Sequence, residues 1–405
     1  MLKLFNSLGK KIELFRTVDD RAVTIFTCGP SIYQRAHIGN FRTFLFEDVL
    51  VRYLEYSGYK VTRGMNITDI EDKAIREAEK RRKTVKELTE DNIDEFLAEM
   101  ALLRIKRPDY LPRASEAVDE AVEIISRLRN LGIAYRHRGN IYFDPVKFPG
   151  FGSLYGLDMT QWPAKKRRFH RDTYPGMRWN LGDFILWHEC REGDQVCWDT
   201  LIGRGRPSWN IQDPSMVSKH FRETLSIYAG GFDNLVRHHD YTRAILESIR
   251  PYPMATFWLH CHHLMVNGQK MSKSKGNIYY TDTLLEHGYD IGEIRFFLIY
   301  GHYREKLNFS GKNMRSTADK LRAFREMVNA VKGRVAQGTK PAAEAVQRIG
   351  RVFAERMDDD LDVRGAIDGL HGALAELELE DLKPADASAI VKALKEIDGV
   401  LEVIF

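Results

Sequence analysis

The spacing of apolar residues changes along this chain, and it predicts where strands and helices lie. A β-branched and aromatic run at residues 23–27 is typical of a buried strand, and it ends at a Gly-Pro pair. From Phe41 onward, apolar residues recur every three or four positions and predict a helix. Residues 60–67 predict a second strand, and a second helix is expected to begin near Asp69. Strand, helix and strand in this order indicate an α/β fold with a parallel, doubly wound sheet.

The middle of the chain has a less regular pattern, which predicts an insertion. Polar helices are expected at residues 85–103 and 114–131, followed by a short hairpin at residues 138–139. Residues 148–199 are rich in Gly, Pro and Trp and have little periodicity. We therefore expect an inserted region here, and we expect the parallel fold to resume at residues 206–211.

The last part of the chain is predicted to be helical after one more strand and one tight turn. A helix from about Met216, a strand that ends at residues 230–231 and a helix near His238 precede an Asn-Gly hairpin at residues 267–268. Further helices are expected at residues 313–332, 342–357, 363–377 and 385–403. The predicted segments are two halves of one α/β domain at residues 1–110 and 205–310, an inserted connective region at 111–204 and a C-terminal helical bundle at 311–405.

Composition narrows the class of protein only slightly. A chain of 405 residues is long enough for two or three domains, and a net charge of +4 permits a nucleic acid or polyphosphate partner. Four cysteines in this length do not form a disulfide framework, so a reducing compartment fits best. The N-terminus lacks the apolar core of a signal peptide, and no apolar run approaches a membrane span. We therefore expect a cytoplasmic protein without a membrane partner.

Two short motifs carry the candidate chemistry. His37, Gly39 and Asn40 belong to an HIGN sequence at the start of the first predicted helix, where backbone N–H groups favour a phosphate. Far downstream, residues 270–274 read KMSKS and follow the predicted hairpin. Each motif alone is a weak match. In this order and on these elements, they resemble the two-part signature of class I aminoacyl-tRNA synthetases.

Nearly the whole chain resembles the cysteinyl-tRNA synthetase family. The matching stretches are TCGPSIY with HIGN (27–40), NITDIEDK (66–73), the segment 198–209, GGFD with HHD (230–240), KMSKSKGN (270–277) and MDDDLDV (357–363). The resemblance implies a ligase with a Rossmann-type catalytic domain. Such an enzyme activates an amino acid with ATP and Mg²⁺ as an aminoacyl-adenylate and passes the acyl group to an acceptor.

The resemblance also implies roles in the nucleotide half of the site. His37 and Asn40 would donate hydrogen bonds to phosphate oxygens, and Lys270 and Lys273 would supply positive charge to the departing pyrophosphate. The ATP-binding residues implied are His37, Gly39, Gly231, Met271, Ser272 and Lys273.

In the amino-acid half, the resemblance assigns Thr68, Trp209 and Asp233 to the pocket wall and the α-amino group. The expected substrate-binding set is completed by Cys28, Gly29, Asp213, His238 and Thr242. Simpler roles stay open at this point. Thr68 would cap a helix, Trp209 would be a core aromatic residue, Asp233 would lie in a turn and Cys28 would be a small buried thiol.

The strongest departure from the family concerns zinc. Family members bind zinc through Cys, Cys, His and Glu, and the metal takes the thiolate of the substrate. This chain retains Cys28 and His238, but Asp213 stands at the second cysteine and Thr242 at the glutamate. Helical spacing is expected to point His239 away from His238. We therefore expect no zinc; the ligands left for such an ion would be Cys28, Asp213 and His238.

The substrate is accordingly predicted to be an amino acid other than cysteine. Asp213 at the pocket floor would suit a hydroxyl, a cationic side chain, or a small side chain with water. Alternatives are a cysteine–tRNA ligase with a rebuilt metal site and a catalytically silent binding or regulatory paralogue.

The acceptor stays open between a small amine or carrier and a tRNA. The chain stops at Phe405, so we expect the small domain that reads the anticodon in the family to be missing. A basic patch at residues 165–168 is either a solvated face or a contact for RNA. The sequence carries no signal for an oligomeric state.

Overall fold

The structure is a computed structural model that describes residues 1–17, 19–161, 182–272, 275–336, 338, 340–341 and 343–405. In chain order its strands are β1 (Lys3–Asn6), β2 (Lys11–Leu14), β3 (Ala22–Thr27), β4 (Lys60–Met65), β5 (Ala134–His137), β6 (Asn140–Phe143), β7 (Phe184–Glu189), β8 (Gly205–Pro207), β9 (Leu225–Gly231), β10 (Ala255–Cys261), β11 (Leu264–Val266), β12 (Gln269–Lys270) and β13 (Leu307–Phe309). Its α-helices are α1 (Ile38–Tyr56), α2 (Asp72–Arg81), α3 (Val85–Leu102), α4 (Val118–Asn130), α5 (Trp209–His220), α6 (Asp240–Glu247), α7 (Thr281–Glu286), α8 (Ile291–Ile299), α9 (Gly311–Lys332), α10 (Ala343–Met357), α11 (Val363–Ala375) and α12 (Pro384–Leu401).

A four-stranded parallel sheet lies at the centre, in the order β10-β9-β3-β4. Helix α1 connects β3 to β4, and the chain reaches β9 on the other side of β3 only after the long middle region. The predicted parallel α/β fold is therefore confirmed. From β3 the chain continues to β4 on one side of the sheet and later to β9 on the other side. At such a switch point a crevice opens at the carboxyl ends of the strands, here β3 and β9.

The inserted region forms an antiparallel sheet of its own, in the order β5-β6-β7-β8. The predicted hairpin joins β5 to β6 through Arg138 and Gly139, both with positive φ. One expectation is wrong: residues 206–211 do not return to the parallel sheet. Strand β8 pairs antiparallel with β7, and α5 begins at Trp209 rather than near Met216. Ser208 has the extended backbone of a helix N-cap and directs the chain into this helix.

The KMSKS segment follows a hairpin, as predicted. Asn267 and Gly268 both have positive φ, and this pair turns β11 into β12, which ends at Lys270. Strand β11 also pairs in parallel with β13. The start of the KMSKS segment is therefore held on a small sheet beside the central one.

The C-terminal helices match the predicted bundle, and they share a core with the central sheet. Helix α9 buries one apolar face, at Leu321, Phe324, Val328 and Val331. Helix α12 packs on α1, and one continuous apolar cluster extends from the sheet to residue 404. The four segment boundaries stay a prediction.

One local expectation is wrong. Helix α2 begins at Asp72 rather than near Asp69, and Thr68 does not cap it; Asp69 instead accepts hydrogen bonds from the backbone N–H and hydroxyl of Ser115. Cys190 and Cys197 form one disulfide. Among the described residues, no helix is long and apolar enough to cross a membrane.

A buried ion pair joins α1 to α8. Asp48 and Arg295 are both fully buried, and the guanidinium donates to the carboxylate across 2.6 Å. The same carboxylate accepts from Arg52 and from the backbone N–H of Lys106. Removing one member of such a pair leaves the other charge buried without a partner.

We predict that Asp48→Ala lowers the free energy of unfolding by about 3 to 5 kcal/mol, because the Arg295 guanidinium loses its counter-charge. Urea unfolding followed by circular dichroism measures the change. Glu376→Gln is the control, since it breaks the exposed pair with Arg348 and should change stability little. Equal effects of the two substitutions would contradict the assignment of the buried pair.

Candidate active site

A cavity of about 480 Å³ opens at the carboxyl ends of β3 and β9. Most residues that the sequence assigned to the site line it: Cys28, Gly29, His37, Gly39, Asn40, Thr68, Trp209, Gly231, Asp233, His238, Lys270 and Met271. Asp213 and Thr242 are buried behind the lining. Ser272 follows Met271 outside the lining, and Lys273 lies outside the described residues, as does the basic patch at 165–168.

The helix cap at the start of α1 orients the first motif. The Asn40 N–H donates to His37 Nδ1 at 3.3 Å, and the Asn40 side-chain oxygen accepts from the His37 N–H at 3.0 Å. A neutral His37 therefore carries its proton on Nε2. Gly39 permits this arrangement, because a Cβ there would come within 3.0 Å of the His37 ring. The cap thus leaves His37 with a donor nitrogen, which the phosphate role requires.

Asp233, which the family resemblance assigns to the α-amino group, lies close to Lys270. One carboxylate oxygen is 3.9 Å from the Lys270 ammonium and the other is 4.0 Å from Nδ1 of His263. His263 was not among the residues predicted from the sequence, although the His-Cys-His-His run at residues 260–263, at the end of β10, is a signal for it. Burial lowers the pKa of His263 despite the nearby Asp233 carboxylate.

The part of the cavity that the family resemblance assigns to the amino acid, here called the amino-acid end, is built over Asp213. This carboxylate is fully buried. One of its oxygens accepts from the Asn66 amide at 2.5 Å. The other accepts from the Tyr228 hydroxyl at 2.6 Å, from His238 Nε2 at 2.8 Å and from the Cys28 thiol at 3.3 Å. The expectation that Asp213 forms the pocket floor is therefore wrong, since its partners stand between it and the cavity.

The protonation states follow from these contacts. Burial alone would raise the pKa of Asp213, but the charge of His238 and the hydrogen bonds from His238, Tyr228 and Cys28 outweigh it, and the pKa is lowered. Burial and the Asp213 charge raise the pKa of Cys28 well above its ordinary value. Asp213 is therefore an ionised acceptor, and Cys28 is a thiol that donates to it.

A chain of hydrogen bonds continues from Cys28 to the N-terminal hairpin. His239 Nε2 lies 2.9 Å from the Cys28 sulfur, and His239 Nδ1 lies 2.8 Å from His260 Nε2. His260 Nδ1 in turn meets the hydroxyl of Ser7 at 2.7 Å. Gly230 makes room for this contact, because a Cβ there would come within 2.8 Å of the His239 ring.

The expectation that the His239 side chain points away from His238 is wrong. Residues 235–239 form a π-helical turn, which changes the angular spacing of consecutive side chains. The two rings are consequently 5.7 Å apart, and both side chains contact the cluster.

The direction of this chain is set by Asp213. Because the carboxylate only accepts, the Cys28 thiol donates to it, and the sulfur accepts from His239 Nε2–H. Burial lowers the pKa of His239 well below its ordinary value and that of His260 to about 3, so both rings are neutral. The Nδ1 atom of each then accepts, from His260 and from the Ser7 hydroxyl. Every donor in this series of hydrogen bonds therefore points toward the Asp213 carboxylate.

The wall of the amino-acid end is formed by Trp209 and Thr68. Trp209 stacks on the His238 ring with centroids 4.2 Å apart. Thr68 is buried beside Asn66, whose amide lies 3.5 Å from the Thr68 hydroxyl. Both residues line the cavity, and neither is the N-cap of a helix, while their roles toward a substrate stay a prediction.

The donors fit a metal ion only in part. Donor atoms of Cys28, Asp213 and His238 lie within 4.8 Å of one another. Two ligands of a tetrahedral zinc ion are about 3.3 to 3.5 Å apart, given bonds of about 2.0 to 2.3 Å. The Asp213 oxygen that would bind the ion accepts three hydrogen bonds here, and its 2.8 Å distance to His238 Nε2 is shorter than the spacing of two zinc ligands. The Thr242 hydroxyl donates to the backbone carbonyl of His238 instead of facing the cluster.

Comparison with known proteins places the chain in a family. The family model described as tRNA synthetases class I (C) catalytic domain matches residues 14–319. Two solved structures show the fold, each with a TM-score of 0.65 and covering 94% of this chain. One is the Mycobacterium tuberculosis methionyl-tRNA synthetase in complex with methionyl-adenylate, 14% identical and covered over 92% of its length. The other is the ternary complex of Agrobacterium radiobacter K84 agnB2 LeuRS, tRNA and LeuAMS, 11% identical and covered over 84%.

Curated relatives give the particular family. A cysteine–tRNA ligase of Koribacter versatilis is 36% identical, and one of Chlamydia caviae is 34% identical. Both alignments cover 100% of this chain, with 82% and 86% of the respective relatives. The chain therefore belongs to the cysteinyl-tRNA synthetase family of class I synthetases. The expected resemblance and the expected ligase class are confirmed.

We predict that Asp213→Asn lowers the free energy of unfolding by about 3 to 5 kcal/mol, because an amide brings donors to a position that already receives four. Urea unfolding measures the loss. The control is Asp233→Asn, the same chemical change at a half-exposed carboxylate, which should change stability by less than about 0.5 kcal/mol. A tolerated Asp213→Asn variant would contradict the role given to this carboxylate.

Proposed function

We propose that this protein activates an amino acid with ATP as an aminoacyl-adenylate and passes the acyl group to an acceptor. The observation that carries the proposal is the convergence of both motifs on one cavity at the switch point of the sheet. His37, capped so that Nε2 carries a proton, and Lys270, on the hairpin opposite, both line that cavity. This is the arrangement that phosphoryl chemistry on a helix N-terminus needs.

The proposed catalysis is mainly electrostatic. Attack of the amino-acid carboxylate on the α-phosphate needs groups that hold the reactants and match the charge that develops. His37 and Asn40 donate to phosphate oxygens, while Lys270 and Lys273 neutralise the departing pyrophosphate. Mg²⁺, which ATP brings to such sites, supplies further positive charge. We assign Gly39, Gly231, Met271 and Ser272 to the ATP side of the same site.

We further propose that the amino acid is not cysteine and that its side chain is short and uncharged. Asp213 is fully buried, does not line the cavity and already accepts hydrogen bonds from four neighbours, so a substrate ammonium would have to displace one of these partners to reach it. Among the described lining residues, Asp233 is the one carboxylate, and it stands beside Lys270. A cationic side chain of the substrate would therefore have no counter-charge in the cavity, so we do not propose a cationic amino acid.

A second candidate is cysteine itself, held by a zinc ion on three protein ligands. It is favoured by the donor group of Cys28, Asp213 and His238 and by the names of the curated relatives. Three protein ligands and one open position are typical of catalytic zinc, and the substrate thiolate would take the open position. In this candidate the Asp213 oxygen gives up hydrogen bonds to reach the ion.

An ATP–pyrophosphate exchange screen over the common amino acids separates the two candidates. We expect exchange with a short, uncharged amino acid such as serine, alanine or glycine and weak exchange with cysteine, lysine and arginine. Strong preference for cysteine would refute the first candidate and support the second. No exchange with any amino acid would instead support a catalytically silent binding or regulatory protein.

The catalytic loop has its own test. We predict that Lys273→Ala slows adenylate formation by about 10²- to 10³-fold, because the charge opposite the departing pyrophosphate is lost, while stability is unchanged. Single-turnover measurement of adenylate formation reports the rate. Lys275→Ala, an exposed lysine on the same loop, is the matched control and should keep most of the activity. An unchanged rate in Lys273→Ala would mean that the loop is not catalytic.

For the acceptor, family membership makes tRNA the first choice, and a small amine or carrier is the alternative. Transfer of the activated amino acid to total tRNA, with free amines as the comparison, decides between them. A cytoplasmic location remains part of the proposal.

A further inference from the structure

A pair of cysteines lies outside the cavity, in the connection between β7 and β8. Cys190 directly follows β7, and Cys197 precedes Trp198; their Cα atoms are 6.1 Å apart and their sulfurs are bonded. Both residues are half-buried, but residues 191–195 between them are exposed. A small thiol or a redox protein can therefore approach this loop from solvent.

The chemistry around the pair is that of an exchangeable disulfide. The exposed Arg204 donates through Nε to the Cys197 sulfur at 3.4 Å. A guanidinium at this position stabilises a thiolate and makes Cys197 the better leaving group. An attacking thiolate would bond to the Cys190 sulfur, break the disulfide and release Cys197 as a thiolate beside Arg204.

The reduction of the disulfide is completed if the reductant is a dithiol. Its second thiol attacks the mixed disulfide at the reductant's own sulfur and releases Cys190. The dithiol becomes a disulfide, and the protein gains two electrons and, from the dithiol, two protons. In reducing compartments, disulfides of this kind are usually transient or redox-sensing.

The loop is connected to the amino-acid wall through β7. Two side chains that flank Trp209 are bound to the same carbonyl oxygen of Ile185 in β7, the Ser208 hydroxyl at 2.6 Å and the Asn210 amide at 2.8 Å. Beyond the loop, Trp198 and Gly205 exchange two backbone hydrogen bonds that bring the chain back to β8. The disulfide thus closes the loop at the end of the strand that holds Trp209 in place.

We propose that Cys190 and Cys197 form a reversible thiol–disulfide exchange site whose state sets the order of β7, β8 and Trp209. The disulfide restricts the loop to conformations that keep β7 and β8 paired, and its reduction restores chain freedom to residues 190–197. Trp209 stacks on His238 at the amino-acid end of the cavity, so looser anchoring of Trp209 weakens amino-acid binding more than the chemical step.

The first test needs no enzymatic activity. The whole chain is equilibrated in mixtures of reduced and oxidised dithiothreitol, alkylated and weighed by mass spectrometry. We expect two alkylatable cysteines to appear together on reduction. Hydrogen–deuterium exchange at residues 184–210 should then become faster. A cysteine pair that stays reduced in oxidised dithiothreitol would overturn the proposal. Equal rates of hydrogen–deuterium exchange in the reduced and the oxidised protein would also overturn it.

Variants locate the effect. In reducing and in oxidising buffer, the Cys190→Ser, Cys197→Ser double variant should show the hydrogen–deuterium exchange of the reduced wild type. The control Cys261→Ser, at a buried cysteine, should keep the difference in hydrogen–deuterium exchange between the two buffers. With the substrate found in the amino-acid screen, reduction should raise KM for the amino acid several-fold with kcat nearly constant. A double variant that still responds to the reductant would place the effect elsewhere and refute the site.

Discussion

A buried carboxylate with four hydrogen-bond donors is the interaction on which the amino-acid half of this enzyme depends. Asp213 draws Asn66, Tyr228, His238 and Cys28 toward one point, and each donates to it. A buried charge is costly unless it is matched in this way. Because Asp213 only accepts, it also sets which atom of each neighbour carries a proton, as far as Ser7 in the N-terminal hairpin.

Two members of this cluster, Cys28 and His238, are the residues that match zinc ligands by the family resemblance. A Zn²⁺ ion would join side chains through its positive charge, whereas the Asp213 carboxylate joins four donors through its negative charge. In the hydrogen-bonded arrangement His239 takes part because its neutral imidazole donates to the Cys28 sulfur. The Thr242 hydroxyl, where the resemblance implies a glutamate, donates to the backbone carbonyl of His238.

The nucleotide half depends on different physics and was easier to foresee. A helix cap, a hairpin and a parallel strand are local structures, and HIGN, Asn267 with Gly268, and β3 carry local signals for them. Sequence pattern therefore predicted the sheet and the hairpin, and most residues that the family resemblance assigned to the site line the cavity. Domain boundaries and the roles of single residues stay predictions.

What sequence did not reveal depends on long-range contacts or on departures from regular geometry. The π-helical turn before α6 broke the helical spacing that was used to orient His239. The start of α5 was missed because apolar residues on both sides of Ser208 imitate a strand. The burial of Asp213 has no local signal, since its four partners come from the segment directly after β3, from the segment after β4, from β9 and from the π-helical turn.

The zinc content of the purified protein tests the central claim most directly. The chain is equilibrated with buffered zinc, separated from unbound ion and measured by plasma mass spectrometry. The Asp213→Cys, Thr242→Glu double variant, which restores the ligand types of the family, serves as the comparison. If hydrogen bonds hold the cluster together, we expect far less than one zinc ion per chain in the unaltered protein and close to one zinc ion per chain in the double variant. One tightly bound ion per unaltered chain would contradict the account.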